Sequence, residues 1–127
     1  MEPKDIRILL IDDEDGFRRP MEFWLKARGY QVSGVDNGAA GLAEIERQRP
    51  TIVYLDMKMP GMNGLEVLTK IREKDKTLPV IMITAYGTSR DMKLAETLGV
   101  SGFFKKDEDF ATAANLLVLA LSSGNVA

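Results

Sequence analysis

The stretch ILLIDDEDGF, residues 8–17, is the most informative part of this sequence. Four aliphatic residues run directly into four consecutive acids, Asp12 to Asp15. A short aliphatic run without polar alternation is typical of a strand that is covered on both faces. Carboxylates at the edge of an apolar core are costly to desolvate and repel one another, so a compensating positive charge is expected beside them.

The composition limits the chemistry that can involve these acids. At 127 residues the chain predicts a single domain, residues 1–127, with a structured core over about 5–123 and short tails. It has no cysteine and no histidine, which excludes thiol catalysis, histidine bases and metal sites built on either residue. A net charge of −2 without a basic block predicts no nucleic-acid binding. With no signal-peptide pattern and no membrane-length apolar run, we expect a cytoplasmic protein without membrane contact.

Short apolar runs alternate with amphipathic segments of helical length along the chain. The amphipathic segments fall over roughly 14–48, 64–75, 88–98 and 109–122. Strands that alternate with helices imply right-handed crossovers and a parallel sheet. We therefore predict an α/β domain with five parallel strands and five helices. The five runs predicted as strands are Ile6–Ile11, Tyr30–Val35, Thr51–Leu55, Pro79–Thr84 and Ser101–Phe104.

Polar side chains stand at the ends of four of these runs, where a parallel α/β sheet binds its ligands. Asp12 and Asp13 follow the first run, and Asp56 follows the third. Thr84 ends the fourth run, and Lys106 follows the fifth. Each residue alone has an ordinary explanation as a helix cap, a strand former or a surface charge. Together they predict a site of three carboxylates, one hydroxyl and one ammonium.

The chemistry open to such a site is narrow. Clustered carboxylates need a cation, and an all-oxygen site suits Mg²⁺, with Mn²⁺ as a substitute. Mg²⁺ held by few protein groups keeps coordination positions for phosphoryl oxygens, and an ammonium is a point-charge partner for phosphate. Aspartate is a known nucleophile that forms aspartyl phosphate. The residues therefore predict aspartate phosphorylation assisted by magnesium.

Four motifs, IDDEDGF, LDMKMPGMNGLEVL, VIMITAYG and GFFKK, together resemble the receiver domain of two-component response regulators, the CheY-like superfamily. The resemblance covers nearly the whole chain, with the motifs in the family's order. It implies a flavodoxin-like doubly wound sheet with the strand order 2-1-3-4-5. It also implies a role in phosphorelay signal transduction.

The resemblance assigns a role to each residue of the site. Asp56 is the implied phosphoacceptor, which takes its phosphoryl group from a phosphohistidine on a sensor histidine kinase or phosphotransfer protein. Asp12 and Asp13 are the implied magnesium ligands, together with Asp56 and the backbone carbonyl of Lys58. Such a protein is not a conventional enzyme, although it catalyses its own phosphorylation and slow dephosphorylation.

A second set of residues is implied to read the phosphorylation state. Thr84 is the implied hydroxyl that captures a phosphoryl oxygen after transfer, and Phe103 is the aromatic that then swings inward. The family lysine lies three residues beyond this aromatic, which selects Lys106 over Lys105. Phosphorylation is then expected to change the face made by the fourth helix, the fifth strand and the fifth helix.

The chain departs from the family pattern after the lysine and carries long side chains near the site. Asp107 stands where proline is usual, so we expect residues 107–109 to cap the last helix. Lys58 and Tyr86 lie two residues after the acceptor and the threonine. Either they restrict attacking water and tune the phosphoryl lifetime, or they point into solvent.

Two surfaces are expected to meet partners. The resemblance implies kinase contacts at the start of the first helix, at Glu14, Asp15, Arg18 and Glu22. The last helix has no charged residue from Ala111 onward, and Leu116, Val118 and Leu119 fall outside its predicted core stripe. An exposed apolar face predicts dimerisation or docking of an output domain, with scattered surface leucines as the alternative.

Two other functions compete with the receiver interpretation. A haloacid-dehalogenase-type phosphatase would use Asp13 as nucleophile and Asp15 as acid/base, but it leaves Asp56 unexplained. A pseudo-receiver would only bind partners, and the complete set of three acids, threonine and lysine argues against it.

Overall fold

The computed structural model describes residues 1–85 and 88–124. Its centre is one sheet of five parallel strands in the order β2-β1-β3-β4-β5. This order confirms the predicted flavodoxin-like fold class, and each strand lies within one residue of its predicted run at either end. The strands are β1 (Arg7–Ile11), β2 (Gln31–Val35), β3 (Ile52–Asp56), β4 (Val80–Thr84) and β5 (Gly102–Lys105).

Five α-helices cover the two faces of the sheet, as predicted, and a short 3-10 turn at Pro3–Asp5 precedes the first strand. One face packs on α1 and α5, and the other packs on α2, α3 and α4. The helices are α1 (Asp15–Ala27), α2 (Gly38–Arg47), α3 (Gly64–Lys74), α4 (Ser89–Thr97) and α5 (Phe110–Gly124). Among the described residues, none of the helices has both the length and the apolar character needed to cross a membrane.

The central strands divide their side chains between the two cores. In β1, Ile8 and Leu10 face the α1/α5 side, whereas Leu9 and Ile11 face the opposite side, and all four are buried. Burying each such side chain contributes about 1.5–3 kcal/mol of transfer free energy. Because both faces are covered, the strands can be continuously apolar until they reach the carboxyl edge, where the acids begin.

The turn after β3 brings the next helix directly against the strand end. Asn63 caps α3 by accepting from the Glu66 N–H at 3.0 Å, while the Glu66 carboxylate accepts from the Asn63 N–H at 3.2 Å. At Gly64 an added Cβ would overlap with the carbonyl oxygen of Asp56, so only glycine allows this approach. The local sequence NG thereby allows α3 to begin directly against the end of β3, the strand that carries Asp56.

Residues 107–109, which the sequence predicts to cap α5 in place of the family's usual proline, lie in the loop between β5 and α5. The Asp109 carboxylate accepts from both the N–H and the hydroxyl of Thr112, at 3.0 Å each, so it caps the first turn of α5. Among the described residues all peptide bonds are trans, including the bond between Lys106 and Asp107.

Candidate active site

The three predicted carboxylates converge at the carboxyl edge of β1 and β3. Asp12 directly follows β1 and is fully buried, Asp13 beside it is half-buried, and Asp56 is the last residue of β3 with 3% exposure. One carboxylate oxygen from each residue lies within 4.8 Å of the others. This separation is small enough for a single cation to bind all three.

Lys106 supplies the positive charge that the acids require. Its ammonium lies 3.1 Å from Asp12 Oδ2 and 3.4 Å from Asp56 Oδ2, and its side chain is 13% exposed. Its backbone N–H donates to the Thr84 carbonyl at 3.0 Å, which fixes the loop after β5 to the end of β4. Lys105 is exposed, so the structure brings the predicted lysine, Lys106, to the site.

Thr84 lies at the end of β4 and is 4% exposed. Within the part of the chain that the structure describes, its hydroxyl has no hydrogen-bond partner. An unpaired buried hydroxyl costs roughly 1–3 kcal/mol, so its presence at this edge is a stability cost that a ligand oxygen would offset.

Burial and charge repulsion act strongly on Asp56. Desolvation, followed by the neighbouring Asp12 carboxylate, raises the pKa of Asp56 from 3.8 to about 7, and the Lys106 ammonium only partly opposes this rise. A group with this pKa is only partly ionised near neutral pH. A cation bound by the same carboxylates would favour the ionised form, which is the nucleophilic one.

The acidic trio fits a hard divalent cation such as Mg²⁺. The donors are all carboxylate oxygens, the ligand type that Mg²⁺ prefers. Asp12 Oδ2 is buried and, within the described residues, accepts no hydrogen bond, because the Lys106 ammonium at 3.1 Å lies outside hydrogen-bond geometry. An anionic oxygen in this position has its charge only partly compensated until a cation binds.

Glu14 belongs to the site, a contact that sequence reasoning missed. Its carboxylate pairs with the Lys106 ammonium, although 92 residues separate them, and its N–H donates to Asp12 Oδ1 at 2.9 Å. The side chain is still 59% exposed, so a partner contact remains geometrically open to it. Its place next to Asp12 and Asp13 in the sequence could have suggested that Glu14 lies near the site, but nothing in the sequence indicates its contact with Lys106.

Of the other residues predicted to face the kinase, Arg18 is largely buried. It is only 7% exposed, and its guanidinium donates to the Asp12 carbonyl, to Asp15 and to Glu22. The side chain folds back into the β1–α1 loop, so little of Arg18 is exposed for the implied kinase contact. The carboxylate of Glu22 is 19% exposed, whereas that of Asp15 is 63% exposed.

Lys58 and Tyr86 are the two residues that the sequence predicts near the mouth of the site. The Lys58 side chain is 64% exposed and lies 3.7 Å from Asp91 in the first turn of α4, so it extends along the surface. Its backbone N–H donates to Asp56 Oδ1 at 3.3 Å. Tyr86 lies outside the described residues.

The last helix presents part of the apolar face that its sequence predicts. Val118 and Leu119 are 54% and 64% exposed. Leu116 is half-buried and packs against the α1/α5 core, which corrects its prediction as an exposed residue. Leu116 lies beside Gly102, the first residue of the neighbouring strand β5, where an added Cβ would meet the Leu116 side chain at an ordinary van der Waals distance. Phe103 in the same strand is half-buried on the opposite face of the sheet.

The phosphatase alternative is not supported by the position of its acid/base. Asp15 would have to act beside Asp13, but its carboxylate accepts from Arg18 at 2.8 Å and is mostly exposed. Asp56, which that mechanism leaves without a role, lies instead at the centre of the cluster.

The fold and the site together define a doubly wound α/β protein of the CheY-like class, with an acidic cleft bridged by a lysine. The family model for the response regulator receiver domain matches residues 8–117. The chain belongs to this family, and its function is two-component signal transduction. Phosphorylation and magnesium binding are typical of such domains.

Individual relatives agree with this assignment. Sporulation initiation phosphotransferase F of Bacillus subtilis is 36% identical over 103 residues, covering 81% of this chain and 83% of that protein. The sensory transduction protein RegX3 of Mycolicibacterium smegmatis is 34% identical over 99 residues, covering 78% of this chain. This chain spans only 43% of RegX3 and 24% of the transcriptional regulatory protein GlrR of Escherichia coli.

Solved structures share the fold over nearly the whole chain. A CheY-like receiver domain protein from Methanospirillum hungatei has a TM-score of 0.89 at 24% identity, covering 94% of this chain and 95% of that chain. A receiver domain protein from Clostridium thermocellum has a TM-score of 0.86 at 25% identity, covering 93% and 95%.

Proposed function

We propose that Asp56 accepts a phosphoryl group from the phosphohistidine of a sensor histidine kinase or phosphotransfer protein. The observation that carries this proposal is the buried carboxylate of Asp56 at a sheet edge, grouped with two further acids and 3.4 Å from the Lys106 ammonium. Among the carboxylates of the trio, Asp56 is the one that lies within a strand, at the end of β3, which neighbours β1 at the switch point of the sheet.

The proposed transfer is an in-line displacement at phosphorus. A carboxylate oxygen of Asp56 forms the new P–O bond while the P–N bond to the donor imidazole breaks, and the imidazole leaves with the bonding electron pair and takes up a proton. Lys106 offsets the negative charge on the phosphoryl oxygens and the carboxylate during this step. In dephosphorylation, water attacks the phosphorus, the P–O bond to Asp56 breaks, and the carboxylate is regenerated as inorganic phosphate leaves.

Mg²⁺ is the proposed cofactor, with Mn²⁺ able to replace it. Asp12, Asp13 and Asp56 would hold the ion with the backbone carbonyl of Lys58, and the ion would supply charge neutralisation to the transferring phosphoryl group. The all-oxygen donor set supports this choice, as does Asp12 Oδ2, which accepts no hydrogen bond within the described residues.

Thr84 and Phe103 are the proposed switch. The unpaired, buried Thr84 hydroxyl can donate to a phosphoryl oxygen on Asp56. Phe103 is half-buried in the neighbouring strand β5, so an inward rotation would bury it further. Such a change would alter the surface formed by α4, β5 and α5, which is the proposed output face.

The test is phosphorylation by a small phosphodonor with Mg²⁺, read by intact mass. The wild type is expected to gain one phosphoryl group, and Asp56→Asn none. Asp13→Asn, which keeps the acceptor but removes a metal ligand, is expected to react much more slowly. Uptake of phosphate by Asp56→Asn would overturn the assignment, and uptake by wild type in EDTA at the full rate would overturn the metal.

The exposed face of α5 is the proposed contact for a second copy or an output domain. Val118 and Leu119 are more than half exposed, and the sequence carries no charge after Asp109. An uncharged apolar patch is self-complementary, because two copies meet without like-charge repulsion.

A further inference from the structure

Arg18 is a buried cation to which the phosphoryl-transfer reaction assigns no role. Its guanidinium donates through Nη1 to the Asp12 carbonyl at 2.8 Å, through Nη2 to Asp15 Oδ1 at 2.8 Å and through Nε to Glu22 Oε2 at 3.3 Å. The side chain is 9% exposed. A planar guanidinium held by three oxygens in different directions has one orientation, since rotation would leave a buried charge unpaired.

The contact to Arg18 completes the restraint of Asp12. The Asp12 N–H donates to the Val35 carbonyl at 3.1 Å, and its own carbonyl accepts from Arg18. Its Oδ1 accepts from the Glu14 N–H at 2.9 Å. Both backbone groups and Oδ1 are therefore engaged, whereas Oδ2 accepts no hydrogen bond within the described residues and lies 3.1 Å from the Lys106 ammonium.

Strand β2 contacts Glu22, one of the three hydrogen-bond partners of the Arg18 guanidinium. Glu22 lies against Gly34 of β2, where an added Cβ would overlap with the Glu22 carboxyl group. The Glu22 side chain is 19% exposed, so its ion pair with Arg18 is shielded from solvent more than a surface pair. Glu22 therefore packs against β2 and pairs with Arg18, and Arg18 donates to the loop that carries the acidic pair.

We propose that Arg18 is a positioning residue for the magnesium site, acting through the carbonyl of Asp12 to orient the carboxylates of the β1–α1 loop. The inference rests on the proposed function, since it requires Asp12 to hold the ion. Groups that hold metal ligands in place typically change metal affinity by about 10–100-fold when they are removed.

The experiment compares Arg18 with Arg72, a matched buried arginine. Arg72 is 8% exposed, and its guanidinium also donates in three directions, to the carbonyls of Leu98, Gly99 and Asp75. It lies in the last turn of α3, at the end of that helix remote from Asp56. Arg18→Met and Arg72→Met therefore each remove a buried guanidinium with three hydrogen bonds; Arg18 also loses ion pairs with two carboxylates, and it alone lies beside the metal loop.

Magnesium affinity is measured by calorimetric titration of Mg²⁺ into the metal-free proteins, under conditions where unfolding curves show each to be folded. The Kd for Mg²⁺ is expected to rise about tenfold or more in Arg18→Met and to change less than twofold in Arg72→Met. Arg18→Lys keeps the charge, but one ammonium does not match three divergent acceptors, so a similar rise is expected.

Hydrogen exchange provides a readout that needs no metal. The Glu14 N–H that donates to Asp12 is expected to exchange at least several-fold faster in Arg18→Met than in wild type or Arg72→Met. If Arg18→Met does not fold, Arg18→Lys and Glu22→Gln take its place, and Glu22→Gln is expected to raise the Kd several-fold.

The outcomes separate this inference from the proposed function. Wild-type Mg²⁺ affinity in a folded Arg18 variant overturns the positioning role and leaves Asp56 phosphorylation untouched. An equal loss of affinity in Arg72→Met also overturns it, because general destabilisation would then explain the effect. A wild type that binds no Mg²⁺ overturns both the positioning role and the proposed cofactor.

Discussion

At the scale of single residues, two buried polar groups of the site lower the stability of the unliganded fold. Burial and the Asp12 charge raise the pKa of Asp56 to about 7, and the Thr84 hydroxyl is buried without a partner in the described chain. Both features destabilise the unliganded fold, and both are relieved by the ligands that the proposed reaction brings, a cation and a phosphoryl oxygen.

Replacing Asp56 by Asn should stabilise the metal-free protein at high pH. Because the folded-state pKa lies above the ordinary 3.8, folding favours the protonated carboxyl. That contribution is complete below pH 3.8 and is lost as the pH rises through about 7. We expect Asp56→Asn to raise the free energy of unfolding at pH 8 by at least about 1 kcal/mol, and to have little effect at pH 4.

Urea unfolding in EDTA at the two pH values measures this difference. Asp13→Asn serves as a control, since it removes a charge from a less buried carboxylate of the same cluster. Equal stability of wild type and Asp56→Asn at pH 8 would contradict the argument.

At the scale of elements, Asp75 joins the end of α3 to the start of β4. Its carboxylate accepts from Arg49 Nε at 2.7 Å and from the backbone N–H groups of Thr77 and Leu78 at 3.1 and 2.9 Å. The Arg49 hydrogen bond is the largest cause that lowers the pKa of Asp75 to about 2. This acid therefore behaves oppositely to Asp56, because it is stabilised in its charged form.

Asp75→Asn is expected to lower the free energy of unfolding at pH 7 by about 1 kcal/mol, since half-exposed Arg49 is partly screened by solvent. The wild-type advantage is present above pH 3.8 and disappears as the pH falls through about 2. Denaturation at a series of acidic pH values measures it. As a control, Glu46→Gln breaks the exposed pair with Lys74 and should not measurably change the free energy of unfolding. A loss of stability in Asp75→Asn that does not depend on pH would count against a charge-based cause.

At the scale of the whole molecule, the exposed face of α5 is the proposed dimer contact. Leu119→Lys is expected to keep the fold, because its side chain is 64% exposed, and to abolish a phosphorylation-dependent dimer. Phe23→Lys removes a similarly exposed apolar side chain from α1 and is expected to leave the dimer intact. Analytical ultracentrifugation with and without phosphodonor and Mg²⁺ distinguishes them.

Sedimentation as a monomer in both states would contradict dimerisation and leave docking of an output domain as the role of this face. A dimer that tolerates Leu119→Lys would move the interface to another surface.

The sequence by itself determined the fold class and the five central residues of the site. Continuous apolar runs mark strands buried on both faces, and in a parallel sheet the ends of such strands must share one edge. Asp12, Asp13, Asp56 and Thr84 could therefore be brought together from local pattern and order, and the family resemblance selected Lys106 over Lys105.

Only the tertiary structure decided where long or flanking side chains go. Glu14 pairs with a lysine 92 residues away, Arg18 folds inward onto a backbone carbonyl, and Leu116 packs beside a glycine in another strand. Helical periodicity gives the direction in which a side chain leaves its helix, but not which distant charge or space it meets. Those contacts depend on how elements remote in sequence pack, and they convert a set of strand-end residues into a site with fixed geometry.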